Sequence, residues 1–179
     1  CQNDWRRMSW MKKIRNYALQ KGRNISYRPA DYPGFEKLKN VAIVFESGKQ
    51  DDTIMSFAKQ MKAAGKEVHL LGFIPQKRKE MLSPPEFSHF TKDEVNWYGK
   101  PKCEEVTKFL NGTYQVFITL NEREESPIQF VTVAAKADFV VGLSSGKVAR
   151  IDLLVGTGKT HDYKAVFKEV EYYLKFING

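Results

Sequence analysis

Cysteine is nearly absent from this chain. Cys1 and Cys103 are the only two in 179 residues, far apart and without metal-ligand spacing. That argues against a disulfide framework or a zinc site and for a reducing compartment. Histidine is as sparse: His69, His89 and His161 stand isolated, and His69, alternating into an apolar run, reads as structural. No apolar run approaches the ~18 residues of a membrane span. There is no internal repeat, no low-complexity tract and no G-x-G-x-x-G dinucleotide fingerprint. No cofactor or metal is therefore expected. Cys1 also fits the lipidated cysteine of a processed lipoprotein, whereas Met8, opening MSWMKKIRNY, fits a natural start.

What is present is an alternation of short β-type runs and helical patterns. Val41 to Phe45 is rich in β-branched and aromatic residues and predicts a buried strand. Ser47-Gly48 breaks it. Asp51, Asp52 and Thr53 offer an N-cap and first-turn acids. Ile54, Phe57, Ala58 and Met61 then recur at helical spacing, and Gly65 ends the helix. Val68 to Ile74 is the next strand. Strand, helix, strand makes a βαβ unit with a right-handed crossover. Further on, the pattern predicts a helix over 102–110, a strand over 114–120, a helix from Pro127 to Ala137 and a strand within 138–143. A fifth strand over 151–155 and a closing helix over 161–177 complete it. The expectation is a three-layer α/β, Rossmann-like domain over residues 39–179, with a mainly parallel sheet of about five strands covered on both faces.

Charge is unevenly placed. Residues 1–40 hold ten bases and three acids, which is seven of the eight net positive charges. Residues 5–20, WRRMSWMKKIRNYALQ, place Trp10, Ile14 and Tyr17/Ala18 on one helical face, with Leu19 near its edge. Lys12, Lys13 and Arg15 lie away from its centre. Residues 1–38 therefore read as a basic amphipathic helical arm, ended near Gly22, plus a linker holding Pro29, Pro33 and Gly34. Such asymmetry suits an anionic partner, although a docked or solvated helix would look the same. Lys12, Lys13, Arg15, Arg23 and Arg28 are the expected polyanion contacts. The segment 75–101 is harder to read. Phe87, Phe90, Trp97 and Tyr98 are interleaved with Lys92, Lys100 and Lys102, a composition that fits a single-strand stacking platform or a satellite core.

Three constellations invite chemistry. Gly142-Leu143-Ser144-Ser145-Gly146 matches the G-x-S-x-G nucleophile elbow, with Asp152 and His161 in acid-then-His order. No helix follows the elbow, so Ser144 is not expected to be a nucleophile. Gly156 to Thr160 resembles a shortened P-loop but has Leu153 where the first glycine belongs. An anion at Gly158, Lys159 and Thr160 is the reading that survives. A ligand cleft, if present, belongs outside the carboxyl ends of the strands at the switch point, among Ser47, Gly48, Asp51, Asn121, Ser144 and Ser145.

Two resemblances add to this. Tyr114 to Ser145 resembles the N-terminal Rossmann-like domain of heptosyltransferase-type glycosyltransferases. Phe130 to Ala137 and Val141-Gly142-Leu143 hold the places of that family's helix and strand-ending turn. Those enzymes bind the sugar nucleotide in a second domain that this chain lacks. Over most of residues 40–178 the chain is similar to a bacterial domain-of-unknown-function family of short, basic-armed α/β proteins. It shares the Phe87–Trp97–Gly99 region, the A-K-A-x-F-x-V-G stretch at 135–142 and a final helix rich in Tyr and Leu. That resemblance implies a cytoplasmic protein and brings no activity with it.

The leading expectation is a noncatalytic binding module whose arm contacts RNA or a ribonucleoprotein surface, ahead of a membrane surface. The alternative is a small-ligand binder or enzyme related to the acceptor half of a glycosyltransferase. Oligomeric state is left open.

Overall fold

The structure is a computed structural model and describes residues 2–23, 32–123, 125–143, 150–156 and 162–177. The chain opens with α1 (Gln2–Gly22). It continues through β1 (Asn40–Glu46), α2 (Asp51–Ala63), β2 (Glu67–Ile74) and β3 (Ser88–Thr91). Then come α3 (Glu104–Asn111), β4 (Thr113–Leu120), α4 (Ile128–Ala134) and β5 (Lys136–Gly142), and last β6 (Leu153–Leu154) and α5 (Tyr163–Phe176).

The six strands form one parallel sheet in the order β3-β2-β1-β4-β5-β6. The chain builds outward from β1 to β3, then returns to lay β4 on the other side of β1. The order reverses between β1 and β4, which is the switch point of a Rossmann-like fold.

The central strands are apolar on both faces because helices cover both. Val41, Ile43 and Phe45 of β1 pack with Ile54, Phe57 and Met61 of α2 and with Val166, Phe167, Val170 and Leu174 of α5. Ala42 and Val44 point the other way, towards Val106 and Phe109 of α3 and Ile128 and Val131 of α4. Phe57 and Phe167 stack at 4.1 Å between ring centres and join α2 to α5. Gly65, at φ 78°, turns the chain out of α2.

Among the described residues the sheet has six strands, in keeping with the about five expected, and Ser88–Thr91 supplies β3 beside β2. Two expectations need correction. The helix α4 stops at Ala134, and β5 begins at Lys136 inside the expected helix. Asp51 does not cap α2. It is the first helical residue, and its carboxylate accepts from Ser47 Oγ at 2.6 Å and from Gly48 N–H at 2.8 Å.

Candidate nucleic-acid interface

The basic helix α1 is docked, and Arg15 is the residue that docks it. The residue is 9% exposed. Nη1 donates to Tyr98 O at 3.0 Å and Nη2 donates to Ser126 O at 2.7 Å. The cation also lies 4.8 Å from the centre of the Phe130 ring. Burial lowers the Arg15 pKa from its ordinary value, and the charge of Glu125 opposes that shift. Beside it, Leu19 is fully buried against Phe130 and Val133 of α4. Arg15, expected among the polyanion contacts, is therefore an internal anchor. An arginine is suited to this, because its fork can serve carbonyls on two loops at once.

The helix is rotated relative to the expected face. At about 100° per residue, Met11, Arg15, Ala18 and Leu19 form the docked side. Trp10 and Tyr17, expected inward, are 54% and 66% exposed. They share the outer stripe with Lys13 and Lys21, which are also exposed, while Lys12 is exposed at the edge of the docked side and Arg23 just past the end of the helix. Lys12 Nζ pairs with Glu125 at 3.2 Å, with both side chains largely in solvent. Such a pair contributes little and leaves the lysine available.

Trp10 meets a second exposed aromatic. Its ring stacks on Trp97, with centres 5.6 Å apart and planes 16° apart. Trp97 is 58% exposed. Of the four aromatics in the candidate stacking segment, Phe90 is buried in the sheet and Phe87 packs on Phe45. Tyr98 lies edge-on to Phe130 under α1, so Trp97 is the one that faces outward. A hollow of about 290 Å³ opens next to the indole pair, lined by Met11, Lys12, Trp97, Gly99 and Glu125 among others.

The switch-point residues are knitted to one another. Ser47, Gly48 and Asp51 satisfy each other as described, and Asn121 Oδ1 accepts from Arg123 N–H at 3.2 Å. Arg123 Nη2 reaches both carboxylate oxygens of Glu46, at 2.7 and 2.6 Å, across the ends of β1 and β4. The N-terminus of α5 closes in from the side. Tyr163 N–H donates to Gln50 Oε1 at 2.8 Å, and its hydroxyl, hydrogen-bonded with Glu122, is held far above its ordinary pKa, chiefly by burial.

Residues 7–177 match a family of unknown function, DUF6913. The chain belongs to that family. The match begins within α1 and ends just past α5, so the DUF6913 region takes in both the docked helix and the sheet. No curated protein and no solved structure matches the chain.

Other expected site residues of this DUF6913 chain lie outside the described residues: Arg28, Ser144, Ser145, Gly158, Lys159, Thr160 and His161. Asp152, the candidate triad acid, closes a sheet edge. It accepts from Val140 N–H at 2.8 Å and pairs with Arg150 at 2.9 Å. Glu94, Cys103 and Glu105 bring donor atoms within 4.8 Å of one another, so they could hold an ion. Against this, Glu94 is already engaged by Arg78 at 2.9 Å, and burial pushes the Cys103 thiol up, away from the thiolate a metal needs. Among the described residues no helix is long and apolar enough to cross a membrane.

Sequence reasoning missed the anchoring role of Arg15 and the outward pairing of Trp10 with Trp97. One signal was available. The Trp97-Tyr98-Gly99 run is a turn signal in the sequence, and in the structure Gly99 takes φ 92° there.

Proposed function

We propose that this protein is a noncatalytic binding module that holds single-stranded RNA, or the RNA of a ribonucleoprotein surface, on the outer face of α1. The observation that carries this is the exposed, stacked pair Trp10–Trp97, on a helix whose Lys12 and Lys13 are also exposed. Single-strand binders combine cations that follow the phosphates with aromatic faces on which bases stack. Lys12, Lys13, Lys21 and Arg23 supply the cations, and Trp10, Tyr17 and Trp97 the faces. Arg15 serves by holding the helix in register with Trp97. The adjacent hollow of about 290 Å³ gives an unstacked base somewhere to go.

The alternative, a small ligand at the switch point as in the acceptor half of a glycosyltransferase, draws on the strand order. It is opposed by the Glu46–Arg123 pair, which bridges the carboxyl ends of β1 and β4 where such a ligand would sit.

The test is fluorescence anisotropy with a labelled single-stranded RNA of mixed sequence at low salt. Loss of one stacking face costs ~1–3 kcal/mol, so Trp97→Ala should weaken binding about tenfold or more. Binding that is indifferent to both Trp10→Ala and Trp97→Ala contradicts the reading. So does a protein that ignores RNA and binds anionic phospholipid vesicles, which would make the partner a membrane.

A further inference from the structure

The sheet has a slot one strand wide. β2 runs for eight residues, but β3 pairs only with its second half, Leu71–Ile74. Beside Glu67–Leu70 there is no neighbouring strand on that side among the described residues. The ladder register says which groups are left facing outward. Glu67 N–H bonds to Lys39 O, and Phe73 O accepts from Ser47 N–H, so the odd-numbered residues of β2 face β1. Parallel pairing alternates direction residue by residue. The amides of Val68 and Leu70 therefore point into the gap.

The gap is a walled groove of about 680 Å³. β3 does not extend into it, because the preceding chain turns over the α2 face and lays the Phe87 ring on Phe45, 4.9 Å between centres. Met55, Val68, Leu70 and Phe87 make that wall apolar, apart from Lys62. The opposite wall, on the α3 side, carries the Glu67 and Glu105 carboxylates beside the His69, Phe109 and Tyr114 rings, with Glu67 3.2 Å from His69 Nε2. Its one lysine, Lys108, is drawn to Glu104 at 2.8 Å. A strand seated here would alternate its side chains between an apolar wall and an acidic one.

We propose that this slot is a strand-addition site for an extended peptide segment of a partner protein in which apolar and basic residues alternate. Main-chain bonds to Val68 and Leu70 supply affinity, and the two unlike walls supply the pattern. An unpaired edge of this kind otherwise invites aggregation, and proteins normally block or use it. This site is at the opposite end of the sheet from the switch point and is independent of RNA binding by α1.

The probe is a fluorescein-labelled Lys-Val-Lys-Val-Lys-Val-Lys peptide, with Glu-Val-Glu-Val-Glu-Val-Glu as its counterpart, both titrated against the full chain by anisotropy. The basic peptide should bind, and the acidic one should bind at least about tenfold more weakly. On saturation, exchange of the Val68 and Leu70 amides should slow by about tenfold or more, while the His69 amide, already paired with β1, changes little. Val68→Pro removes one outward donor without touching the β1 ladder and should abolish binding. The surface double change Glu67→Lys/Glu105→Lys leaves the backbone alone and should reverse the preference between the two peptides. Any of four results overturns the proposal: no binding of the basic peptide to the intact chain; equal binding of both; unchanged amide exchange; or a dimer dissociated by Val68→Pro, which would assign the slot to a second copy.

Discussion

The guanidinium of Arg15 occupies the space where a side chain on residue 99 would be. A Cβ built on Gly99 would overlap Arg15 Nη1, and the backbone there sits at φ 92°. The glycine thus permits the turn and also leaves room for the cation that ties α1 to the Tyr98 and Ser126 carbonyls. Gly99→Ala should cost about 1–2 kcal/mol for the left-handed backbone alone, and more as Arg15 is displaced. Arg15→Ala should cost about 2–4 kcal/mol, because two carbonyls lose their donor and the Phe130 face is uncovered. The two variants should be strongly non-additive in urea unfolding, since each removes the same contact. Additive losses would mean that the helix is held elsewhere.

Gly72 and Phe87 form a second coupled pair. A Cβ on Gly72 would meet the Phe87 ring well inside contact distance. Gly72→Ala should therefore expel Phe87 from Phe45 and destabilise by about 1–3 kcal/mol. In the double variant with Phe87→Ala the glycine change should be nearly neutral. Urea midpoints for the four proteins of the cycle decide this.

Stability should fall steeply in strong alkali. Burial raises the Tyr32 hydroxyl from 10.0 to about 12. Tyr114 is likewise raised to about 12, by burial first and by the charge of Glu67 second. Their hydroxyls donate to Leu174 O at 2.8 Å and Phe109 O at 2.6 Å. The unfolded chain gives up these protons first, so the stabilisation is whole below pH 10 and is lost between pH 10 and 12. Replacing both by Phe should cost about 1 kcal/mol per hydrogen bond at pH 8 and flatten the alkaline decline. Declines that stay parallel would contradict the assignment.

Much of the sheet was legible in the sequence for a simple reason. Val41–Phe45 and Tyr114–Leu120 are central strands buried on both sides, and Val68–Ile74 is buried over its second half, so all three appear as apolar runs between helical patterns. β3 did not, because it is four residues long, half polar, and follows Ser83-Pro84-Pro85. Its exit carried a readable sign: Thr91-Lys92-Asp93-Glu94 is a capping box, and it closes a short helical turn.

The site was less legible, and Arg15 shows why. Reading a helix by periodicity places cations outward and tryptophan inward. Here the acceptors that reward burial of Arg15 come from loops 83 and 111 residues away, which no local pattern reveals. Once that contact sets the rotation of α1, Trp10 must face out, and it finds Trp97. Charge counting located the basic segment correctly in the chain, but which of its cations are free is a tertiary property.

The most direct test of the proposed function is the salt dependence of single-stranded RNA binding. Four exposed cations, Lys12, Lys13, Lys21 and Arg23, lie on α1 and just beyond its end. Each phosphate neutralised on a single strand contributes about −0.7 to the slope of log K against log salt, so four contacts predict a slope near −3. Changing all four to Gln, with Arg15 kept so that the helix stays docked, should bring the slope close to zero and leave unfolding stability almost unchanged. A slope near −3 that survives the four substitutions, or no RNA binding by the intact chain at low salt, would contradict the account.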